Sequence, residues 1–411
     1  MRESFRPGRP AFARRAGARV LLSGVALLLL GTVVVAPAPA VAAPRCGPPG
    51  TAAPTETPWP LRRLEPASAW RLSRGAGVTV AVIDSGVSAT HPTLRGQVRA
   101  GRDFNSLPQE QGQCDLAGHG TIVAGIIAGR EGTGVPFSGI APQARILPVR
   151  VLPNTRTTVD EGLPGEIARA IRWAVDNDAD VVNLSLVTLD RPDLADAVRY
   201  ALDEGVVVVA AAGNRQENQQ DLPAYPAAYP GVIAVAGVDE QGGHVGSSVS
   251  GEYVDIAAPG LNIVGPAPGG DGYLAEPQGG TSFAAAYVSG VVALVRAAYP
   301  DLDPEQVADR LARTADSPPD GHNAEVGHGV VNPYRAVSAL LGHRSDPPPD
   351  ALAAPAAPED PLAWQRDVAL WVAATGALVA VLLLAVKPIL DRGRRRGWRP
   401  GRRPADPSTT T

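Results

Sequence analysis

Residues 78–86 read Val-Thr-Val-Ala-Val-Ile-Asp-Ser-Gly, an almost continuous β-favouring run that ends in Asp84-Ser85-Gly86. Such a run, without alternation of polar and apolar residues, is typical of a strand buried on both faces of a parallel sheet. Similar runs recur at residues 144–151, 181–186, 206–211 and 232–238. Amphipathic helical patterns lie between them, at residues 166–177 and 193–204. Strands that alternate with helices of about 10–15 residues predict an α/β fold with a mostly parallel central sheet.

A mostly helical section follows these strands, and one domain over residues 65–342 accounts for the whole pattern. The helical patterns cover residues 282–298, 304–314 and 333–341. With 45% hydrophobic residues among 411, the chain has enough apolar side chains for a core. A net charge of −4 gives no reason to expect nucleic-acid binding, and two cysteines exclude a disulfide-rich scaffold.

The N-terminal 43 residues have the layout of an export signal. A group of arginines up to Arg19 precedes an apolar run over residues 20–35, and small residues and prolines follow. This order predicts a signal peptide over residues 1–43, cleaved near its end. An uncleaved signal anchor is the alternative, but Pro37 and Pro39 would break a continuing helix. In both cases the residues that follow are exported.

A second apolar run, residues 368–386, predicts one C-terminal transmembrane helix. Its 19 residues carry no charge, and at about 1.5 Å per residue they span about 28 Å, close to the thickness of a bilayer core. The arginine-rich tail at residues 387–411 is then cytoplasmic by the positive-inside rule, so the domain lies outside the cytoplasmic membrane. Nucleic-acid binding is the alternative use of these arginines, but their place after a membrane helix already accounts for them.

Pro-rich segments flank the domain, an N-terminal extension at residues 44–64 and a linker at 343–366.

Three residues in the domain have ordinary interpretations when each is taken alone. Asp84 ends a strand and could be a turn residue. His119, in Gly-His-Gly-Thr-Ile-Val-Ala-Gly, begins an apolar helical stretch and could be a surface residue. Ser282, in Gly-Thr-Ser-Phe-Ala, begins another apolar helix and could be an N-cap.

Together the three residues predict nucleophilic catalysis. A serine that attacks a carbonyl needs a base, and histidine, with an ordinary pKa of about 6.5, suits that role at neutral pH. The imidazolium that forms needs a buried carboxylate to orient it. Asn214, in Ala-Ala-Gly-Asn after a strand, adds a side-chain amide that can donate to an oxyanion, although asparagine is also common in turns.

These motifs, in the order Asp84, His119, Ser282, resemble those of the subtilisin-like serine proteases, the subtilases, over about residues 65–342. The whole layout resembles the mycosins, membrane-anchored subtilases of type VII secretion systems. The resemblance implies a subtilisin-like three-layer fold, with Asp84, His119 and Ser282 as the catalytic triad and Asn214 in the oxyanion hole. It also implies a serine endopeptidase that cleaves selected exported proteins and associates with membrane-embedded secretion components.

The two cysteines, Cys46 and Cys114, are expected to form a disulfide, because an exported chain meets an oxidising environment. Two free thiols or an intermolecular bond are the alternatives. Mycosins resemble this arrangement, in which the disulfide ties the extension to the domain. The other histidines have no metal-ligand spacing, and we expect neither a metal nor a cofactor.

A second hypothesis is a structural subunit of the secretion complex that retains the protease fold while proteolysis is dispensable. A free-standing nutritional protease is a third, which a membrane anchor and a short linker disfavour.

Overall fold

The computed structural model describes residues 46–153, 161–215, 222–341 and 363–398. Nine strands are found there: β1 (Thr79–Asp84), β2 (Arg102–Asp103), β3 (Arg145–Arg150), β4 (Val181–Leu184), β5 (Val207–Ala211), β6 (Ile233–Val238), β7 (Ile256–Pro259), β8 (Ile263–Pro266) and β9 (Tyr273–Glu276). The first seven form one sheet in the order β2-β3-β1-β4-β5-β6-β7, and every neighbouring pair is parallel. Strands β8 and β9 form a separate antiparallel hairpin.

Nine α-helices lie in the same ranges: α1 (Trp59–Leu64), α2 (Pro66–Ala69), α3 (His119–Ala128), α4 (Leu163–Val175), α5 (Pro192–Asp203), α6 (Thr281–Ala298), α7 (Pro304–Thr314), α8 (Pro333–Ser338) and α9 (Ala363–Arg395). The predicted alternation of strands and helices is confirmed, since the five predicted strands are β1, β3, β4, β5 and β6. Helix α4 begins at Leu163, before the predicted start at residue 166. Pro164 is compatible with its first turn, because the N–H groups there have no partner within the helix and the missing N–H of proline costs nothing.

The sheet separates two apolar cores, so the molecule has the three layers that were predicted. Along β1, Val80 and Val82 belong to one core, and Ala81 and Ile83 to the other. Helices α3 and α6 cover the first face, while α4 and α5 cover the second. A strand with apolar neighbours on both sides has no polar face, which is why these runs do not alternate.

Two helices are long and apolar enough to cross a membrane among the residues described, and they differ in burial. In α6, 78% of the residues are buried, so this helix belongs to the core of the domain. In α9 none of the apolar window is buried, and this helix contains the predicted span at residues 368–386. Helix α9 is therefore the candidate membrane span.

Several predicted segments lie outside the described residues. These are the signal peptide at residues 1–43, the start of the extension, most of the linker at 343–366, and the end of the basic tail. The domain boundaries drawn from the sequence remain predictions.

The described part of the extension pairs with the β8–β9 hairpin. Thr51 and Tyr273 exchange backbone hydrogen bonds of 2.8 and 2.9 Å, and the Trp59 indole donates to the Leu261 carbonyl over 2.9 Å. The predicted disulfide between Cys46 and Cys114 is present. Cys114 is five residues before His119, so this covalent bond ties the extension to the loop that leads into α3.

We expect removal of this disulfide to lower the stability of the folded domain. The bond closes a loop across 68 positions, for which chain entropy predicts a stabilisation of about 4 kcal/mol. A full-length chain with both cysteines replaced by serine should therefore unfold at a temperature lower by roughly 10 °C in a thermal scan. Wild type in reductant is the matched control, and an unchanged midpoint in both samples would contradict the expectation.

Candidate active site

Asp84 and His119 are brought together by the end of β1 and the start of α3. The Asp84 carboxylate is fully buried, and the Ser85 N–H donates to its Oδ1 over 2.7 Å. His119 is the first residue of α3, and its Nδ1 lies 2.8 and 3.0 Å from the two carboxylate oxygens. A neutral imidazole that donates from Nδ1 keeps Nε2 as an acceptor, which is the tautomer a general base requires.

The glycine after His119 permits this approach. A Cβ at Gly120 would lie 2.1 Å from the Gly86 carbonyl oxygen, a contact that no side chain could make. The start of α3 therefore packs directly on the loop after β1.

Burial and the surrounding carboxylates act on the pKa of His119 in opposite directions. Burial by itself disfavours the imidazolium and lowers the pKa of His119, but the charge of Asp84 and its hydrogen bond favour the imidazolium. Asp115 and Glu276 act in the same direction, and the pKa of His119 is raised above its ordinary value. The pair therefore stabilises a positive charge on His119.

Asp115 is a buried carboxylate that the sequence reasoning missed. Its Oδ2 accepts from the Thr121 N–H and hydroxyl over 2.8 and 2.6 Å, and its Oδ1 accepts from the Ser85 hydroxyl over 2.9 Å. Oδ1 also accepts from the Gly118 N–H over 2.7 Å. Burial raises the pKa of Asp115, and these donors oppose the rise. An acidic residue four positions before the first residue of a helix was the available sequence signal, because it can reach the free N–H groups there.

Arg150 holds the loop after Asp84 from the neighbouring strand. It pairs in register with Asp84 across β3 and β1, and its Nε donates to the Ser85 carbonyl over 3.1 Å. Its guanidinium also contacts the Asp103 carboxylate at 2.8 Å, and both side chains are buried. This pair was not predicted, because Asp103 and Arg150 are joined only when β2 and β3 align.

Ser282 is the second residue of α6 and lies near the Asp84–His119 pair. The ring of Phe283, the next residue, is 5.2 Å from the His119 ring between centroids. The Ser282 hydroxyl donates to the Ser185 carbonyl over 3.0 Å, and the Ser185 hydroxyl donates to the Ser282 carbonyl over 2.7 Å. A hydroxyl has one proton, so in this structure Ser282 does not donate to His119. In enzymes without substrate, the hydrogen bonds between active-site groups are often long or poorly aligned.

Asn214 follows β5 and is tied to the start of α6 through its oxygen. Its Oδ1 accepts from the Thr281 N–H over 3.0 Å and from the Thr281 hydroxyl over 3.1 Å. These donors fix which side of the amide is oxygen, and Nδ2 remains available as a donor. A Cβ at Gly280, whose φ is +147°, would lie 3.1 Å from Nδ2, so glycine keeps the space beside this donor open.

No cluster of three or more His, Cys, Asp or Glu side chains that could hold a metal ion is found in the described ranges. His91 lies in the core: its Nδ1 is 2.9 Å from the Thr93 hydroxyl and its Nε2 is 3.1 Å from the Gly272 carbonyl. Burial lowers the pKa of His91. Both ring nitrogens of His91 therefore have hydrogen-bond partners within the protein.

Comparisons with known proteins identify the family of this chain. The profile of the subtilase family matches residues 75–329, which contain Asp84, His119, Asn214 and Ser282. The chain belongs to the subtilase family of serine proteases.

The relatives include mycosins, the family that the layout of the sequence resembles. Mycosin-4 of Mycobacterium tuberculosis is 36% identical over 375 residues, which cover 81% of this chain and 80% of that protein. The solved structure of MycP3 protease from the type VII (ESX-3) secretion system is 35% identical, covers 71% of this chain and 92% of its own, and gives a TM-score of 0.64. A chain of an intact ESX-5 inner membrane complex gives 32% identity, 84% and 98% coverage, and a TM-score of 0.62. The predicted resemblance to mycosins is confirmed.

We expect the pKa of His119 in the folded chain to lie above its ordinary value of about 6.5 and to fall below it in an Asp84→Asn variant. The substitution removes the carboxylate charge and leaves burial, which disfavours the imidazolium. Carbon-detected NMR of histidine-labelled full-length chain in detergent measures both values. Because the folded-state pKa is raised, the pair contributes stability below the unfolded pKa, and this is lost as pH rises through the folded pKa.

His91 supplies the internal control for this titration. Its pKa is lowered by burial, and it should not move in the Asp84→Asn variant. A His119 pKa that is the same with and without the Asp84 charge would show that the carboxylate does not govern the imidazole.

Proposed function

We propose that this chain is a membrane-anchored serine endopeptidase, which hydrolyses peptide bonds of selected exported proteins in association with a type VII secretion system. The observation that carries the proposal is the buried Asp84–His119 pair beside the helix N-terminus that presents Ser282. Membership of the subtilase family supports the reaction class, and the mycosin relatives support the association with secretion.

In the proposed reaction, substrate binding moves the Ser282 hydroxyl from the Ser185 carbonyl to Nε2 of His119. His119 takes the proton while Ser282 Oγ attacks the peptide carbonyl carbon, and the imidazolium is stabilised by Asp84. His119 then gives the proton to the departing amine, and the C–N bond breaks. Water, deprotonated by His119, cleaves the acyl-enzyme ester and restores Ser282.

The tetrahedral intermediate has an oxyanion that needs donors in fixed positions. We assign this role to Nδ2 of Asn214 and to the backbone N–H of Ser282. The Asn214 amide is already held by Thr281 through its oxygen, so little reorganisation is needed when the negative charge develops.

The proposed location follows from α9 and from the disulfide. A single uncharged span with a basic C-terminal flank predicts a cytoplasmic tail and a domain outside the membrane. The disulfide between Cys46 and Cys114 is compatible with an oxidising compartment. The partners we propose are membrane-embedded secretion components and exported protein substrates.

A structural subunit with dispensable proteolysis is the second candidate, favoured by the likeness to a chain of an ESX-5 inner membrane complex. A Ser282→Ala chain, expressed in the native host lacking its own copy, separates the two roles. Restored secretion would support the structural role, whereas loss of secretion with an assembled complex would support proteolysis.

The catalytic claim predicts that a fluorophosphonate labels the full-length chain in detergent and that labelling disappears in Ser282→Ala. The probe reacts only with a serine that a neighbouring base activates, and fluoride leaves as the Oγ–P bond forms. Mass spectrometry of the labelled peptide identifies the residue. Ser68→Ala is the matched control, because this exposed serine on α2 donates locally to the Glu65 carbonyl over 2.7 Å and should leave labelling unchanged. Absence of labelling in a folded wild type would contradict the catalytic assignment.

The oxyanion assignment predicts that Asn214→Ala lowers the labelling rate constant by about 10²–10³-fold, the loss that removal of such a donor causes in subtilisin. Asn177→Ala is the matched control, since Asn177 at the end of α4 bonds only locally to the Trp173 carbonyl and lies on the other face of the sheet. Equal rates for the two variants would exclude Asn214 from the oxyanion hole.

A further inference from the structure

Asn183 is a polar residue in the middle of the central strand β4. It is fully buried, and it lies in register between Val82 of β1 and Val209 of β5. By alternation along β4 it faces the same side as Val181, which belongs to the core that α3 and α6 cover. A buried amide without partners would cost stability, so its hydrogen bonds require an account.

Both ends of the Asn183 amide are bonded within one short network. Its Nδ2 donates to the Ser185 hydroxyl over 2.9 Å, and its Oδ1 accepts from the Ser289 hydroxyl over 2.9 Å. The Ser185 hydroxyl in turn donates to the Ser282 carbonyl over 2.7 Å, and the Ser282 hydroxyl donates to the Ser185 carbonyl over 3.0 Å. The network therefore begins and ends on α6 and passes through β4.

The two points of attachment on α6 are Ser282 and Ser289. They are seven residues apart, about two helical turns, and so they lie on the same face of the helix about 10 Å apart along its axis. Apolar packing alone tolerates small rotations and translations of a helix, because it has no directional preference. Two directional contacts of this kind fix both the rotation and the axial position of α6 on the sheet.

We infer that Asn183 and Ser289 are positioning residues for the nucleophile: they fix the rotation and axial position of α6 on β4, and with them the position of Ser282 relative to His119. The inference rests on the proposed function of Ser282. Neither residue contacts the reacting atoms, and both act through the position of the helix.

The position of β4 in the sheet explains why this contact matters. Strand β4 lies between β1, which ends in Asp84, and β5, which leads to Asn214. Because Asn183 attaches α6 to β4, the helix also has a fixed position relative to β1 and β5, the strands that lead to Asp84 and Asn214. A misplacement of about 1 Å in a reacting group can cost about 10²-fold in rate.

The test compares Ser289→Ala, Asn183→Leu and their double variant in the full-length chain in detergent. The readouts are kinact and KI for fluorophosphonate labelling and the unfolding midpoint. We expect Asn183→Leu to lower kinact at least tenfold while KI changes less than twofold, because the alignment of Ser282 is lost but the cleft is not. Ser289→Ala should also lower kinact, but by a smaller factor than Asn183→Leu, because the Asn183–Ser185 hydrogen bond remains.

The double variant separates positioning from stability. Replacing both polar partners by apolar groups removes the unsatisfied buried atoms, so its midpoint should return toward that of wild type. The helix still lacks its directional contact at Ser289, and the Ser185 hydroxyl lacks the Asn183 amide that orients it, so kinact should stay low. Recovery of kinact together with the midpoint would overturn the inference, and it would do so even if Asn183→Leu alone fails to fold.

Ser73→Ala, before β1, is the matched control because it removes another buried hydrogen bond to the same helix. The buried Ser73 hydroxyl donates to the Leu294 carbonyl of α6 over 2.7 Å, far from Ser282 along the axis. This variant should lose stability comparably to Ser289→Ala and keep its kinact, and an equal fall in kinact for the two would overturn the inference. A folded wild type that is not labelled would overturn the proposed function and this inference with it, whereas a labelled wild type and unchanged variants would overturn the inference alone.

Discussion

The burial of α6 against the central sheet is the constraint on which the rest of the site depends. This helix is apolar on nearly all sides because the sheet encloses one face and the outer helices the other. Its first turn nevertheless carries polar groups, because the N-terminus of a helix has free N–H donors that polar side chains and Asn214 can satisfy. This largely buried helix thereby presents Ser282 at the edge of the sheet, on a rigid element.

Parallel strands bring residues that are distant in sequence to one edge. Strands β1, β4 and β5 are neighbours, and the segments at their carboxyl ends contain Asp84, Ser185 and Asn214. Helices α3 and α6, packed on the same face, add His119 and Ser282. The edge therefore collects a carboxylate, an imidazole, a hydroxyl and an amide at or close to the ends of strands and helices, and sites supported by such elements hold their geometry better than sites on loops.

Buried charges around Asp84 are compensated by specific donors. Asp103 is paired with Arg150, and Asp115 accepts from backbone and hydroxyl groups at the start of α3. A carboxylate in a low-dielectric interior is tolerated only when it is paired or hydrogen-bonded in this way. The same groups connect the loop after β1 with the loop before α3, so the electrostatic compensation also fixes the distance between Asp84 and His119.

Elements with a strong local pattern could be predicted from the sequence, whereas elements that depend on partners distant in the chain could not. The long apolar runs predicted five strands, since burial on both faces leaves a strong compositional signal. Strands β2 and β7 and the β8–β9 hairpin were not predicted, because they have only two to four residues each and owe their form to distant partners. The Cys46–Cys114 bond was predicted from the compartment and the count of cysteines, which do not depend on the fold.

The sequence by itself determined the parallel α/β fold, the apolar span at residues 368–386, and the residue types and order of Asp84, His119, Asn214 and Ser282. Local patterns carry this information, because motif residues and apolar periods are read over a few positions. Only the tertiary structure decided that the Ser282 hydroxyl rests on the Ser185 carbonyl, that Asp115 anchors the start of α3, and that Asn183 meets Ser289. The physical reason is that hydrogen-bond partners depend on distances of about 3 Å between groups that lie far apart in the chain, and only the packing of α6 and α3 on the sheet sets those distances.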